Sequence, residues 1–284
     1  MAPRVALTTD IGEGLGRWSL GDDDALLEIV TSANIACGFH GGDPGIMRRT
    51  CAISVKNNVA IGAQVSYRDL HGFGRRYIAM PGDELRDDLL YQMGALEVFA
   101  RLAGGKVDFV RAHGALWNVA TKNTEHAQAL VDATLEFNRD LPLLAAVDTE
   151  VWRLGKEAGL RMVAEAFVDR AYTPEGLLQS RSEPNALLTD ADAAAARAVQ
   201  MVTEGHLTAN DGSEVDVTAE ALLVHCDTPG AVDIARKTRA ALEPQASNCS
   251  HSVTLDRRRA DSRARELTAR RLEDNGAVHR WAAA

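Results

Sequence analysis

Asp10 and Glu13 stand three residues apart in TTDIGEG, with Gly12 and Gly14 beside them. Two carboxylates on open backbone can take and return protons at one reacting centre. They could equally supply negative charge to the start of a helix near Asp22. His40 follows the apolar stretch SANIAC, which also contains Asn34, and precedes Gly41 and Gly42, whose amides can approach a ligand closely. RAHGALWN supplies Arg111, His113 and Asn118, AEAFVDRAY supplies Glu165 and Arg170, and HCDTPG supplies His225 and Asp227. GAQVSYRDLHGFGRR brings Gln64, Tyr67, Arg75 and Arg76. Histidines and acids suit proton transfer, while guanidinium groups match carboxylate and phosphate oxygens in pairs.

These clusters are not scattered. Short apolar runs of strand composition occur at 4–9, 32–37, 59–63, 107–112, 141–147, 161–167 and 221–226, and the polar strings lie at the C-terminal ends of nearly all of them. The opposite ends, such as NNV before Val59 and GGK before Val107, carry ordinary turn residues. In parallel α/β folds the chemistry sits on the loops that follow the strands, so this asymmetry points to an active site. Strand alternation puts Arg111 and His113 on one face and His225 and Asp227 on one face, which turns Cys226 toward the helices as a buried thiol.

Helical stretches lie between the runs. Leu85, Leu89, Met93 and Leu96 form one stripe, with Asp83 expected as N-cap and Gly104–Gly105 as the stop. Thr189 and Asp192 have the spacing of a capping box, and Asp43–Pro44 reads as a cap followed by a first turn. Residues 206–219 read as a hairpin with an Asp-Gly turn. About seven strands alternating with helices, several apolar on both faces, predict an α/β fold in which a closed or nearly closed parallel barrel is covered by helices. Residues 1–243 read as one domain and 244–284 as a basic polar extension, with eight arginines against five acids, a net of +3.

The whole chain of 284 residues carries −9, so the part before the extension carries −12. That balance excludes a nucleic-acid scaffold, which needs clustered positive charge. No run of eighteen apolar residues and no signal-like N-terminus is evident, so a cytoplasmic location away from membranes is expected. The four cysteines have no C-x-x-C spacing and are expected to be reduced. There is no G-x-x-x-x-G-K-[ST] phosphate loop, and GEGLG is too short for a dinucleotide fingerprint.

SANIACGFHGGDP, GFGRR, YQMGALEVFARLAGG, AHGALWN, VDRAYTPEG and HCDTPGA together resemble the lactam-utilisation (LamB/YcsF) family of 5-oxoprolinase A subunits, over roughly residues 4–242. The resemblance implies an irregular seven-stranded (β/α) barrel, TIM-barrel-like and similar to polysaccharide deacetylases. It implies a hydrolase that opens the cyclic amide of 5-oxoproline to L-glutamate with ATP. Two further subunits resembling allophanate-hydrolase components would be its partners and would bind the ATP. No metal is assigned, and a homo-oligomer is left open.

On this reading Asp10, Glu13, His40, His113 and Asp227 carry catalysis. Asn34, Gln64, Tyr67, Arg75, Arg76, Arg111, Asn118, Glu165, Arg170 and His225 hold substrate. The sequence departs from the family pattern at the same places. Gln64 stands where histidine is usual, Val65 where proline is usual, Arg111 where lysine is usual and Cys226 where glycine is usual, and TTDIGEG replaces N-A-D-L-G-E-G. Glutamine hydrogen-bonds but does not titrate near neutrality, so Gln64 is expected to bind rather than catalyse. Two other readings stay open. One is a stand-alone metal-dependent hydrolase of the deacetylase kind with Asp10 and His40 as ligands; the other is a regulatory subunit without catalysis.

Overall fold

A computed structural model describes residues 5–247. Seven parallel strands close into a barrel: β1 (Ala6–Ile11), β2 (Ser32–Ala36), β3 (Ala60–Val65), β4 (Phe109–Ala112), β5 (Leu143–Ala145), β6 (Met162–Phe167) and β9 (Ala221–Val224). β9 pairs with both β6 and β1, which closes the ring. The seven apolar runs are these seven strands. The run at 141–147 yields only three strand residues, because Pro142 has no amide to give the ladder and Asp148 turns the chain at φ 58°.

The helices are α1 (Asp23–Leu27), α2 (Pro44–Lys56), α3 (Gly82–Leu102), α4 (Gly114–Ala120), α5 (Thr124–Asn138), α6 (Glu150–Glu157), α7 (Ala191–Thr203) and α8 (Ala231–Ser247). The α3 stripe of Leu85, Leu89, Met93 and Leu96 is fully buried. Asp43 caps α2 as expected, accepting from the amides of Gly45 and Ile46. Two other caps differ. α3 starts after Pro81, and its Gly82 amide donates to Glu125 Oε1 of α5 at 2.9 Å, so a tertiary contact replaces the Asp83 cap. Asp190, not Thr189, caps α7, since its carboxylate accepts the amides of Asp192 and Ala193.

β7 (His206–Thr208) and β8 (Glu214–Asp216) form the expected antiparallel hairpin. The connection 168–190 between β6 and α7 folds back through isolated bridges Arg170–Leu187 and Tyr172–Leu178. Residues 244–247, expected in the basic extension, continue α8, and the rest of the extension, with Cys249, lies outside the described residues. None of the described helices is long and apolar enough to cross a membrane.

The barrel interior changes character along its axis. Near the N-terminal ends the Phe109 ring lies over Gly62, where any Cβ would overlap the ring. Toward the C-terminal ends the interior is polar, and Asp10, Asn34, Gln64, Arg111 and Glu165 are all buried there. Gly62→Ala therefore overpacks the interior and is expected to lose about 1–3 kcal/mol of stability. Gly94→Ala in α3, where a Cβ meets nothing within 4 Å, is expected to gain about 0.5–1 kcal/mol. Urea unfolding midpoints of the two variants check the pair.

Candidate active site

Arg111 is the charged centre of the barrel. Its Nη1 lies 3.1 and 3.2 Å from the two Asp10 oxygens of β1, and its Nε lies 3.1 and 3.3 Å from those of Glu165 on β6. One guanidinium thus ties three strands together across the interior. Asn34, opposite Asp10 in the β1–β2 register, donates to Asp10 Oδ1 at 2.9 Å. Trp117 Nε1 donates to Glu165 Oε2 at 3.0 Å. Burial alone would raise Asp10, but Arg111 opposes it and holds its carboxyl well below the usual range. Glu165 goes the other way, because burial outweighs its share of the same guanidinium.

Gln64, opposite Arg111 in the β3–β4 register, organises the next layer. Its Nε2 donates to Glu13 Oε1 at 2.8 Å and faces His113 Nδ1 at 3.0 Å, while its Oε1 lies 3.1 Å from His40 Nε2. One proton arrangement satisfies all of these contacts. His113 Nε2 donates to the Phe73 carbonyl at 3.0 Å, leaving Nδ1 as acceptor for the amide, and His40 Nε2 donates to Gln64 Oε1. His40 Nδ1 is then a buried acceptor with no partner. Burial lowers both histidines, His40 the more strongly, so both are neutral rings at neutral pH. Burial, aided by Asp10, pushes Glu13 up to about 8.

The loop after β3 covers this layer. Its first residue, Ser66, is pinned by Gln92 of α3, which bonds both its amide and its carbonyl. Phe73 adopts φ 55°, a left-handed conformation that is costly for a bulky residue, and this aims its carbonyl at His113. Gly74 follows at φ 63°, and a Cβ there would lie 2.5 Å from Ser66 Oγ and 2.8 Å from His40 Cβ. Only glycine fits the strap so closely over the two histidines.

Above the layer opens a cavity of about 430 Å³ at the C-terminal ends of the strands. His225 lines it, and its Nδ1 lies 3.0 Å from Asp169 Oδ1. Asp169 is fully buried, accepts from Thr228 Oγ1 at 2.5 Å and accepts the His225 amide at 3.1 Å. Burial would raise Asp169, but His225 and Thr228 hold it low, so it remains a carboxylate. The imidazole stacks on Phe167 at 5.5 Å, and among the described residues Nε2 has no hydrogen-bond partner. A carboxylate on Nδ1 and an open Nε2 in a cavity is the arrangement of a general base.

The structure brings Asp10, Arg111, His113, Arg75, Asn118, Arg170 and His225 to this cavity. Glu13, Asn34, His40 and Gln64 form the layer beneath and do not line it. Gln64, expected to bind substrate, has its amide engaged by Glu13, His40 and His113 instead. Glu165 lines an adjoining cleft of about 400 Å³. Tyr67 and Arg76, expected to hold substrate, do not line this cavity. The Tyr67 hydroxyl bonds His126 under the β3 loop at 2.6 Å, and Arg76 pairs with Asp69 on the outside. Asp227, expected to be catalytic, is taken by Arg75 at 2.6 Å and Arg181 at 3.3 Å.

Arg170 is buried and binds the carbonyls of Gln179 and Ala186. Cys226 does not face only helices. It lies beyond the end of β9, where alternation no longer applies, and its Sγ sits 3.2 Å from Glu13 Oε2. Burial and that carboxylate push the thiol well above its usual value.

Sequence reasoning missed Asp169 and Arg181. Asp169 stands in the string AEAFVDRAY but lies two residues beyond the end of β6, where alternation gives no direction, and Arg181 sits in an aperiodic connection that gives no signal. The fit of a metal ion can be judged from Glu13, His40 and His113, whose ligand atoms lie within 4.8 Å of one another. The two rings stack at 4.1 Å and 13°, and imidazole lone pairs lie in the ring plane, so they do not converge on one point. The Gln64 amide already lies against all three. These residues fit a hydrogen-bonded network and do not fit a tetrahedral ion. Asp10, the other ligand considered with His40, is held by Arg111 and Asn34.

A closed parallel barrel with its ionisable groups gathered at the C-terminal mouth defines a (β/α) barrel of the kind whose chemistry lies on the βα loops. Within that class the chain belongs to the LamB/YcsF family, whose sequence profile matches residues 5–256. It is 51% identical over 237 residues to a protein of Kocuria rhizophila named as the A subunit of 5-oxoprolinase, covering 84% of this chain and 94% of that one. A Streptomyces coelicolor protein of the same name is 51% identical over 239 residues, covering 84% and 96%. The crystal structure of a lactam utilization protein from Thermus thermophilus superposes with a TM-score of 0.81 at 42% identity, covering 85% of this chain and 96% of that one.

The raised Glu13 has a measurable consequence. Between its ordinary value of 4.5 and about 8 the folded chain holds a proton that the unfolded chain has released. The stability from neutral Glu13 is therefore fully present below 4.5 and is lost as pH rises toward about 8. His40 and His113, lowered by burial, act in the opposite direction around their ordinary 6.5. Glu13→Gln is expected to remove the downward slope, read as the difference between melting temperature profiles of the two proteins across that window. Parallel profiles would mean that Glu13 is ionised throughout.

Proposed function

We propose that the chain is the ring-opening subunit of an ATP-dependent 5-oxoprolinase, converting the 5-oxoproline lactam to L-glutamate in concert with partner subunits that bind the ATP. The names of the relatives support this reading. The observation that carries it is the open Nε2 of His225, held by Asp169, in a cavity that also presents several guanidinium groups.

A five-membered lactam is an unactivated amide. Transfer of a phosphoryl group to its oxygen by the partner subunits yields an O-phosphorylated ring in which carbon is doubly bonded to nitrogen. His225 Nε2 takes a proton from water as the water oxygen bonds to that carbon. The tetrahedral adduct can lose phosphate, which regenerates the lactam, or lose nitrogen, which opens the ring. Returning the proton from His225 to the ring nitrogen selects the second course. As the C–N bond breaks, the adduct hydroxyl becomes the carbonyl and its proton passes to the nitrogen, which leaves as the amine; a second water then hydrolyses the resulting acyl phosphate to the carboxylate and phosphate.

Asp169 keeps the imidazole in the tautomer that leaves Nε2 open and stabilises its protonated form. Arg111, whose charge is matched by Asp10 and Glu165, holds the floor rigid. Glu13, Gln64 and His40 hold that floor from beneath without lining the cavity, and His113 joins them to it.

Glutamate release from 5-oxoproline and ATP, with the chain and its partner subunits, tests the assignment. His225→Gln is expected to lower kcat by about 10²–10⁴ with little change in KM. Asp169→Asn should lower kcat and also shift the pH profile, because it disturbs the tautomer. Full activity in His225→Gln removes this base. Gln64→His, beneath the cavity, should perturb turnover far less than either; a loss as large as that of His225→Gln would place position 64 in the chemistry.

A further inference from the structure

The cations at the cavity mouth are not balanced by the anions around them. Arg75, on the loop after β3, and Arg181, on the connection after β6, both point their guanidinium groups at one oxygen, Asp227 Oδ2, at 2.6 and 3.3 Å. Arg170 has no carboxylate within ion-pair distance among the described residues and is bound by two backbone carbonyls. Arg75 and Arg181 thus share a single carboxylate, and Arg170 adds a third guanidinium with no ion-pair partner of its own. Arg111 adds nothing to the excess, since Asp10 and Glu165 hold it, while buried Asp169, which remains a carboxylate near Arg170, reduces the excess to one positive charge.

All three arginines line the same cavity, as do Ser180 and Ser182, whose hydroxyls lie 2.8 Å apart. Arg75 and Arg181 remain partly accessible, with 35% and 25% of their side chains exposed, so an incoming ion can reach them. The Arg75 guanidinium also lies 4.7 Å over the Phe73 ring, which fixes its direction without consuming its hydrogen-bond donors.

We propose that Arg75, Arg181 and Arg170, with the Ser180 and Ser182 hydroxyls, form a subsite for a phosphoryl dianion, and that Asp227 is its internal counter-ion, displaced when the ligand arrives. A carboxylate offers two acceptor oxygens to this set of guanidinium and hydroxyl donors, whereas a phosphoryl group offers three and, once Asp227 is displaced, carries the greater charge that two freed guanidinium groups favour. Asp227 keeps the two guanidinium groups extended and ordered while the subsite is empty, at the cost of competing with the ligand.

This deepens the proposed function and rests on it for one consequence. The barrel receives a lactam already bearing its phosphoryl group, so a phosphoryl transfer from a nucleoside triphosphate must precede the step performed here. The subsite itself is testable on the chain alone. Inorganic phosphate at weakly basic pH is titrated by calorimetry into the unmodified chain and its variants, with acetate as the monoanionic comparison and melting curves to verify folding.

Phosphate is expected to bind at one site and acetate to bind at least about ten-fold more weakly. Arg181→Ala should weaken phosphate by about ten-fold or more, as the loss of a charge-assisted bond requires. Asp227→Asn should bind phosphate more tightly, because it removes the competitor. Equal affinity for acetate, unchanged binding in Arg181→Ala, or weaker binding in a folded Asp227→Asn would each overturn the proposal, as would no binding at all. Phosphate binding without glutamate release in the presence of the partners would leave the subsite standing and sink the 5-oxoprolinase reading. Glutamate release without phosphate binding would do the reverse.

Discussion

A guanidinium buried inside a barrel must be surrounded by negative charge, because its desolvation is otherwise too costly. Arg111 meets this requirement with Asp10 from β1 and Glu165 from β6, and most of the polar interior follows from it. Asn34 and Trp117 each give a further hydrogen bond to one oxygen of those acids. Since the three strands are not neighbours in the ring, the ion pairs fix their relative heights as well as their charges. Arginine suits this position better than lysine would, because one planar group reaches two carboxylates on different sides.

The layer built on Gln64 solves a different problem. Among the described residues Glu13 has no arginine or lysine in ion-pair contact, so the low dielectric favours its neutral form, and the groups around it are an amide, a thiol and two uncharged imidazoles. An amide is the side chain that can donate to an acid and an imidazole nitrogen while accepting from a second imidazole. Gln64 does all three, and the left-handed turn at Phe73 supplies the carbonyl that sets the His113 tautomer. The floor is therefore held by oriented dipoles, and the mobile protons are left to His225 above it.

Much of this was legible before the structure. Seven apolar runs gave the seven strands within a few residues, because strands buried on both faces are apolar whatever their neighbours. The polar strings at their C-terminal ends named most residues of the mouth. What periodicity cannot supply is depth and pairing. It could not place Gln64 below Arg111's cavity, nor tell that Arg76 turns outward to Asp69, since both depend on the course of a loop. Alternation predicted the burial of Cys226 but not its contact with Glu13, because the strand ends two residues earlier. The Asp83 and Thr189 caps were misjudged for a related reason: local signals compete with a glutamate from another helix or with an adjacent aspartate.

The connection 168–190 leaves the barrel wall after β6 and returns before α7, anchored by short bridges to itself rather than by the parallel sheet. It delivers Arg170, Ser180, Arg181 and Ser182 to the mouth, while the groups that tie the wall together come from the strands. Recognition and architecture are consequently encoded in separable stretches of chain. Drift within this one excursion can retune which ions the protein prefers while the wall stays under its own, stricter constraint of charge neutrality, a division that lets one scaffold explore new ligands without first becoming unstable.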